Sequence, residues 1–346
     1  MTKAINLYTE SGWLDIPAID HIPGIWLVVI VGARQIGKTY GILKTLCQKA
    51  TPFIYLRRTR DELDLITSND DLNPFLPLEQ ENIHISFQKE GKVFSFGEET
   101  DSGEFDNKGI MLSLSTIAKM RGFSGGAFTD VFLDEFIPEK TVLRRKHEGD
   151  ALLNAYTTIN GNRELQGKPP LKMWLAANAF DRDNAILETL GLINVLDKME
   201  RKKQEYTIVN DSCLVIRPLS KGITEQHRKT AMNRFLLAQD TAKEYLGTAL
   251  ENSFAYDDDA EKIRPRDIKG HVPLTRAGKV FLYTNGTSIY VCRSRHGKRG
   301  YGESENDKIL AQLEFPIIRE FFNRGLVYFS DAETMLYFKR YFSLDK

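Results

Sequence analysis

Eight residues near the amino terminus have the spacing of a phosphate-binding loop, G-x-x-x-x-G-K-[ST]. They are Gly32, Ala33, Arg34, Gln35, Ile36, Gly37, Lys38 and Thr39, followed by Tyr40. In this pattern the glycines let backbone N–H groups surround phosphate oxygens, the lysine contacts the β- and γ-phosphates, and the hydroxyl binds Mg²⁺. We therefore expect ATP and Mg²⁺ to bind at residues 32–40, with Lys38 as a catalytic cation and Thr39 as a metal ligand.

Two adjacent carboxylates form the second candidate group. Asp134 and Glu135 follow the apolar residues 131–133, so both are expected at the carboxyl end of a buried strand, where α/β sheets bind ligands. Asp134 is expected to hold Mg²⁺ together with Thr39, and Glu135 to polarise the attacking water. The pair favours hydrolysis over phosphoryl transfer to a small molecule.

Two further polar residues have open roles. Asn178 ends an apolar run at residues 172–178, which predicts either a sensor of the γ-phosphate or a capping residue for a following helix. Arg34 lies inside the loop and is expected either to touch phosphate or to pair with an acidic neighbour.

The hydrophobic pattern predicts the elements that position these groups. Residues 26–31 form a continuous apolar run, typical of a strand buried on both faces, and residues 39–49 have apolar side chains at helical spacing. Further strands are predicted at residues 53–57, 83–87, 93–96, 131–133, 173–176 and 213–217. This alternation predicts an α/β fold, a P-loop NTPase of the ASCE type with a mostly parallel sheet flanked by helices.

The pattern changes after Gly222. Polar helices are predicted at residues 224–237 and 240–250, then a hairpin at 280–293, and then helices at 309–324 and 332–342 around a strand at 326–329. Pro316 is expected to break or kink the first of these last two helices. We therefore expect an ATPase domain over residues 1–212, a lid or linker over 213–250, and a smaller α+β domain over 251–346.

The amino-acid composition limits the class of protein but does not indicate a binding partner. Lys and Arg number 47, as do Asp and Glu, so any contact with nucleic acid must come from local basic patches. The three cysteines have no zinc spacing and predict reduced thiols in a cytosolic protein. We find neither a signal-peptide pattern nor an apolar run long enough for a membrane span.

Five segments in order resemble the DNA-packaging ATPases of phi29-like bacteriophages, relatives of the large terminase subunits. The segments are VGARQIGKTYGI, FIYLRRTRDEL, FLDEFIPEK, LLNAYTTINGNRE and LAANA, within residues 28–180. The resemblance implies a homomeric ring, usually a pentamer, that drives double-stranded DNA into a procapsid at the portal protein. It places the protein in the host cell cytoplasm, docked transiently on the procapsid vertex.

The resemblance also implies ATP sites at subunit interfaces, completed by an arginine from the neighbour. Arg163 and Arg121 are the candidates in this sequence, although Gly161 stands where relatives carry an arginine before NRE. DNA contacts are expected from Arg57, Arg58 and Arg60, which follow the second strand, and from Lys119 beside Arg121. The alternative for each of these basic residues is a structural role, either exposed on the surface or paired in a salt bridge.

Large terminases carry an RNase H-like nuclease in the C-terminal domain. The segment VFLYTNGTSIYV resembles the first strand pair of that fold, with Asn285 where a metal-binding Asp would stand. A neutral amide cannot help hold two cations, so we expect a vestigial domain that does not cleave. It is open whether this domain binds DNA, the portal or a packaging RNA. The alternatives for the whole chain are a full terminase with nuclease activity and a nucleotide-gated DNA-binding scaffold with negligible turnover.

Overall fold

The computed structural model describes most of the chain in two compact units. The described residues are 5–90, 93–100, 102–117, 125–139, 147–179, 181–219, 221–239, 241–252, 254, 270–293 and 300–344. One unit takes in residues 1–190 and 198–256, and the other takes in residues 191–197 and 257–346.

The large unit is built on one sheet. Its strands are β1 (Leu27–Gly32), β2 (Phe53–Arg57), β3 (Ser86–Glu90), β4 (Val93–Glu99), β5 (Phe105–Ser113), β6 (Asp130–Asp134), β7 (Lys172–Asn178), β8 (Tyr206–Val209) and β9 (Cys213–Ile216). The described residues give the order β3-β4-β5-β2-β6-β7-β1-β9-β8. The pairs from β5 to β9 across the centre are parallel, and antiparallel strands complete both ends. This arrangement confirms the predicted mixed α/β fold with a mostly parallel sheet.

Helices cover the sheet and connect its strands. Those that precede the second sheet are α1 (Ile16–Asp20), α2 (Lys38–Cys47), α3 (Arg60–Thr67), α4 (Leu114–Ile117), α5 (Glu148–Asn160), α6 (Ala185–Thr189), α7 (Ile193–Arg201), α8 (Lys221–Arg228), α9 (Ala231–Gln239) and α10 (Lys243–Leu246). Short 3₁₀ helices span Asp70–Leu72, Leu76–Glu81 and Glu164–Gln166, and a π-helical turn spans Gly247–Glu251.

Burial explains why the central strands read as continuous apolar runs. All six residues of β1 and all five of β6 are buried, because helices lie over both faces of a parallel sheet. Tyr55, Phe132 and Trp174 are fully buried side chains on β2, β6 and β7. The rigid centre of the sheet therefore fixes the positions at which these strands end.

The smaller unit has its own sheet. Strands β10 (Val272–Ala277), β11 (Val280–Thr284), β12 (Ile289–Cys292) and β13 (Val327–Phe329) lie in sequence order, with β12 and β13 parallel. Helices α11 (Glu305–Glu314), α12 (Ile317–Asn323) and α13 (Ala332–Tyr341) accompany it. Phe338 of α13 packs on Phe329 with ring centroids 5.3 Å apart. Pro316 separates α11 from α12, as the sequence predicted.

The structure differs from the predicted elements in three places. The predicted strands omit β5 and β8, because the polar residues Asp106, Asn107 and Lys108 follow the first residue of β5, and β8 is only half-buried. The segment at Cys213–Ile216, assigned to the linker, is β9 and pairs with β1 inside the large sheet. The polar helices expected as a lid begin at Lys221.

Candidate active site

Three neighbouring strands end at the same edge of the large sheet. In the order β6-β7-β1 they end at Asp134, Asn178 and Gly32. Gly32 pairs with Asn178, and Asp134 pairs with Ala176 two residues earlier on β7. The register therefore brings the loop, the carboxylate pair and the amide to one carboxyl edge, where ligands bind in α/β sheets.

The loop after β1 turns into α2 through a left-handed residue. Gly37 has φ +82° and directly precedes α2, whose first residue is Lys38. A Cβ at Gly37 would stand 3.2 Å from the indole of Trp13. Gly37 is thus needed both for its backbone conformation and for the close approach of Trp13.

Lys38 is almost completely buried beneath this loop. Its Nζ donates to the carbonyl of Ala33 at 2.5 Å, to the carbonyl of Gly32 at 3.3 Å, and to Oδ1 of Asn178 at 3.0 Å. Burial lowers the pKa of Lys38 to about 7, although Asp134 and Glu135 oppose that change. The Lys38 ammonium is therefore easily deprotonated and has only neutral acceptors.

Thr39 and Asp134 meet directly. Thr39 Oγ1 lies 3.0 and 3.2 Å from the two carboxylate oxygens of Asp134, and Tyr55 donates a further hydrogen bond at 3.1 Å. Burial raises the pKa of Asp134, while the charge of Arg57 lowers it. A hydroxyl and a carboxylate side by side are hard oxygen donors, so the residues present fit a Mg²⁺ ion.

Glu135 occupies a strained position at the rim. Its φ is +52°, and its side chain is 56% exposed. Arg57 donates to its Oε2 at 2.6 Å and reaches Asp134 at 3.4 Å. Arg57 was predicted to contact DNA, but here its guanidinium bridges the two acidic residues of the site, because β2 lies beside β6.

The contacts of Arg34 and Asn178 reduce the number of roles that the sequence allowed for each of them. Arg34 pairs with Glu139, so it has the acidic neighbour that was one of its two expectations. Asn178 does not cap a helix, since Asn184 caps α6 through its side chain. Its contact with Lys38 leaves the phosphate-sensing role as a prediction.

Arg58 and Arg60 have different surroundings although only Thr59 separates them. Arg58 is buried, donates to Glu148 at 2.8 Å and pairs with Glu62 at 3.4 Å. Arg60 is partly exposed, pairs with Asp64 at 2.7 Å and lies 5.0 Å from the ring of Phe94. The burial and ion pairs of Arg58 disfavour the predicted contact with DNA, and Arg60 is the more accessible of the two candidates.

Removing Arg58 should destabilise the protein. Arg58→Ala removes the guanidinium that donates to the buried Glu148 carboxylate, so we expect a loss of about 3–5 kcal/mol in the free energy of unfolding. Arg60→Ala is the matched control and should cost less than about 1 kcal/mol, because its ion pair is more exposed. Urea denaturation followed by fluorescence measures both. Equal losses in the two variants would contradict the buried pairing.

Arg163 lies away from the nucleotide edge. Its guanidinium donates to the carbonyls of Phe128 at 2.8 Å and Pro169 at 3.2 Å, and only 8% of the residue is exposed. Phe128 precedes β6, at the opposite edge of the sheet from Asp134. These bonds and this burial disfavour the predicted role of Arg163 as the arginine that reaches a neighbour's phosphate, which stays a prediction. Arg121 and Lys119 lie outside the described residues.

A cavity beside the loop was not predicted from sequence. It has a volume of about 730 Å³ and is lined on one side by Trp13, Gln35, Gly37 and Tyr40. The amino-terminal segment reaches it through a short pairing of Tyr8 with Leu14. No motif in the amino-terminal segment predicts that it contributes to a binding site. Trp13 is the signal in that segment that could have indicated one, because a single aromatic residue can line a ligand cavity.

Asn285, which stands where a nuclease would carry a metal-binding Asp, and Asp331 lie at opposite edges of the sheet in the smaller unit. Asn285 follows β11 at the sheet edge where β12 begins, since Thr284 pairs with Ile289. Asp331 follows β13 at the other edge, because β13 runs parallel to β12. Asn285 accepts hydrogen bonds from the backbone of Thr287 and Ser288, so it is a turn residue. The described residues hold no group of three potential metal ligands.

Comparisons with known proteins agree with the fold. A profile of the podovirus DNA encapsidation protein (Gp16) family matches residues 24–269. The bacteriophage Phi-29 viral genome packaging motor assembly has a chain 19% identical, with a TM-score of 0.65 and 98% of each chain covered. The Phi-28 gp11 DNA packaging motor is 16% identical, with a TM-score of 0.58, 98% of this chain and 100% of that chain covered. No curated protein sequence matches.

The two structural likenesses show a shared fold over nearly the whole chain. No helix in the described parts of the chain is long and apolar enough to cross a membrane. The family match covers more than two thirds of the sequence and includes every element that reaches the nucleotide edge. The chain belongs to the podovirus DNA encapsidation protein (Gp16) family.

Proposed function

We propose that the chain hydrolyses ATP with Mg²⁺ and uses that reaction to drive double-stranded viral DNA into a procapsid. The observation that carries the proposal is the hydrogen bond from Thr39 Oγ1 to Asp134 Oδ1, with a length of 3.0 Å. Lys38 and Glu135 lie beside this pair at the same edge of the sheet. A hydroxyl, a carboxylate, an ammonium group and a second carboxylate are the groups that phosphoryl transfer to water requires.

The triphosphate would lie against the loop of residues 32–39. Backbone N–H groups there and the amino-terminal end of α2 favour an anion. Lys38 would exchange its bonds to the carbonyls of Gly32 and Ala33 for phosphate oxygens. Asn178, which already contacts Lys38 Nζ, would follow the γ-phosphate through that exchange.

Thr39 and Asp134 would hold Mg²⁺, which neutralises charge on the β- and γ-phosphates when bound. Glu135 would orient the attacking water and accept its proton. To do so its carboxylate must turn away from Arg57, which holds Oε2 at 2.6 Å. The exposure of Glu135 and the rim position allow that movement. Arg57 thus acts as a positioning residue for the acidic pair.

The cavity beside the loop would take the base and ribose. Trp13 stands against Gly37 and offers an aromatic face to adenine. Trp13→Ala should weaken ATP binding by about 5- to 30-fold, the range expected for losing one stacking contact of about 1–2 kcal/mol. Binding of a fluorescent ATP analogue measures this loss. Trp26→Ala, which removes an indole elsewhere, is the control, and equal affinities in both variants would contradict the assignment.

Nucleotide binding should take up a proton above pH 7. The pKa of Lys38 is about 7 in this structure because the side chain is buried, so Lys38 is mostly neutral at pH 8.5. A polyphosphate favours its charged form and raises that pKa. We expect close to one proton taken up at pH 8.5 and far less at pH 6, where Lys38 is already protonated. Calorimetry in buffers of different ionisation enthalpy measures it, and uptake that grows towards low pH would contradict the account.

The assembly belongs to the same proposal. We propose that the chain forms a homomeric ring, with five subunits as the expected number. The ring would contact the portal protein and DNA, and a packaging RNA is a candidate further partner. Arg60 is the described candidate for contact with DNA phosphates. Its present partner, Asp64, is partly exposed, so that ion pair can be exchanged at low cost.

Steady-state phosphate release with and without double-stranded DNA and procapsids tests the function. We expect many turnovers per subunit and a faster rate when both are added. A single turnover, or none, would instead indicate a nucleotide-gated scaffold. A rate of phosphate release that does not change when DNA and procapsids are added would contradict the proposed translocation.

A further inference from the structure

One surface of the large unit combines acidic and apolar groups. Residues 61–82 contain seven Asp or Glu and no Lys, Arg or His. Leu65, Leu72 and Leu76 are 59%, 44% and 40% exposed in the same segment. The 3₁₀ turn Asp70–Leu72 packs against α3 and against the 3₁₀ helix Leu76–Glu81, so these exposed residues belong to neighbouring elements. We call this surface the acidic face.

The segment with the exposed leucines also contributes apolar side chains to the core. Leu63, Phe75 and Leu78 of the same segment are fully buried and fix it to the sheet. The acidic face is therefore an ordered surface whose apolar groups point outwards. Contiguous apolar groups surrounded by polar ones are typical of interaction sites.

A second surface has the opposite charge. Residues 221–239, which form α8 and α9, contain four Lys or Arg and one Glu. On α9, Met232 and Phe235 are 62% and 60% exposed and lie three residues apart, on one side of the helix. Lys229 and Arg234 are exposed beside them. We call these four residues the basic face.

The two faces flank the candidate active site on opposite sides. The helical segment with the basic face is anchored after β7 and β9, where Thr248 donates to Ala179 and Asn252 donates to Pro218. The acidic face begins with α3, directly after β2. In the order β2-β6-β7-β1-β9 the phosphate-binding loop and Asp134 lie between these anchors. Within one subunit, strands β6, β7 and β1 therefore separate the anchors of the two faces.

We propose that the acidic face of one subunit docks onto the basic face of the next copy of the chain. Such a contact joins different surfaces, so it is head-to-tail and closes into a ring when the rotation permits. It would place a neighbour's α9 beside α3, whose preceding residues include Arg57. Glu62, Asp64 and Glu81 are paired with basic residues of the same chain. The exposed carboxylates of the acidic face, which are Asp61, Asp70, Asp71 and Glu79, disfavour DNA or RNA as its occupant because they repel phosphates. This inference rests on the ring within the proposed function.

Charge reversal tests the contact in the full-length chain. One variant carries Asp70→Lys with Asp71→Lys, a second carries Lys229→Glu with Arg234→Glu, and a third carries all four changes. Sedimentation velocity with a nonhydrolysable ATP analogue measures the concentration at half-maximal self-association. We expect each single reversal to raise it at least about tenfold, and the combined chain to return within about threefold of the wild type.

Matched controls separate this contact from general charge effects. Lys202→Glu with Lys203→Glu makes the same charge change at exposed residues before β8 and should leave self-association unchanged. Phe235→Ser removes apolar area without changing charge and should weaken it. Retained binding of the ATP analogue shows that each variant is folded.

Several results would overturn the inference. These are a wild type that stays monomeric with nucleotide and DNA, single reversals without effect, or a combined chain no better than either. Failure of the proposed function looks different, because the wild type would then associate in a charge-dependent way yet release no phosphate. The two conclusions can therefore fail separately.

Discussion

Glu135→Gln should lower the rate of ATP hydrolysis by about 10²- to 10⁴-fold, the contribution expected of a general base. Nucleotide binding should change less than about threefold, because the amide keeps the size of the carboxylate and Glu135 is not expected to touch the phosphates. The physical reason lies in the geometry: Glu135 sits at the rim, next to the metal-binding pair, with its backbone at φ +52° and its side chain exposed. A carboxylate in this place can reach a water molecule once it turns away from Arg57.

Glu139→Gln is the matched control for that change. Glu139 lies four residues further along, pairs with Arg34, and is 53% exposed. Its replacement should lower hydrolysis by less than about fivefold, since an exposed ion pair contributes little. Phosphate release at saturating ATP compares the two. If Glu135→Gln kept more than a tenth of the wild-type rate, another residue would have to activate the water.

Lys38→Ala should abolish nucleotide binding at accessible concentrations, with affinity lowered more than about 100-fold. Hydrogen bonds between charged groups contribute about 1.5–3 kcal/mol each, and Lys38 would make more than one to the β- and γ-phosphates. The loss also removes the ties from Nζ to Gly32, Ala33 and Asn178 that shape the loop. Binding of a fluorescent ATP analogue measures the affinity.

An exposed lysine provides the control for that variant. Lys202→Ala removes the same charge in the turn before β8 and should bind the analogue like the wild type. The thermal midpoint of Lys38→Ala should stay close to that of the wild type or rise, because a buried ammonium group with neutral acceptors stabilises little. Unchanged affinity in Lys38→Ala would place the triphosphate elsewhere.

The parts of the site that depend on local sequence were predictable. The spacing of Gly32, Gly37, Lys38 and Thr39 is set by the turn from strand to helix, and Asp134 follows from a buried strand that ends in a carboxylate. Both are short-range patterns with a fixed relation to the backbone. The mixed sheet also follows, because β1, β6 and β7 are buried on both faces.

Contacts between distant segments were not predictable in the same way. Arg57 bridges Asp134 and Glu135 only because β2 lies next to β6, and no local pattern gives that strand order. Trp13 borders the cavity because the amino-terminal segment packs against α2 over a long sequence separation. The surroundings of Arg163 were unpredictable for a related reason, because its position near a family motif says nothing about the backbone carbonyls that accept hydrogen bonds from its guanidinium.

The direct test is the structure of the protein with Mg²⁺ and a nonhydrolysable ATP analogue. It should show the γ-phosphate within hydrogen-bonding distance of Lys38 Nζ, the metal beside Thr39 Oγ1 and Asp134, and Glu135 turned from Arg57 towards the γ-phosphate. A nucleotide bound away from residues 32–39, or a metal with no contact to Thr39 and Asp134 directly or through water, would contradict the account.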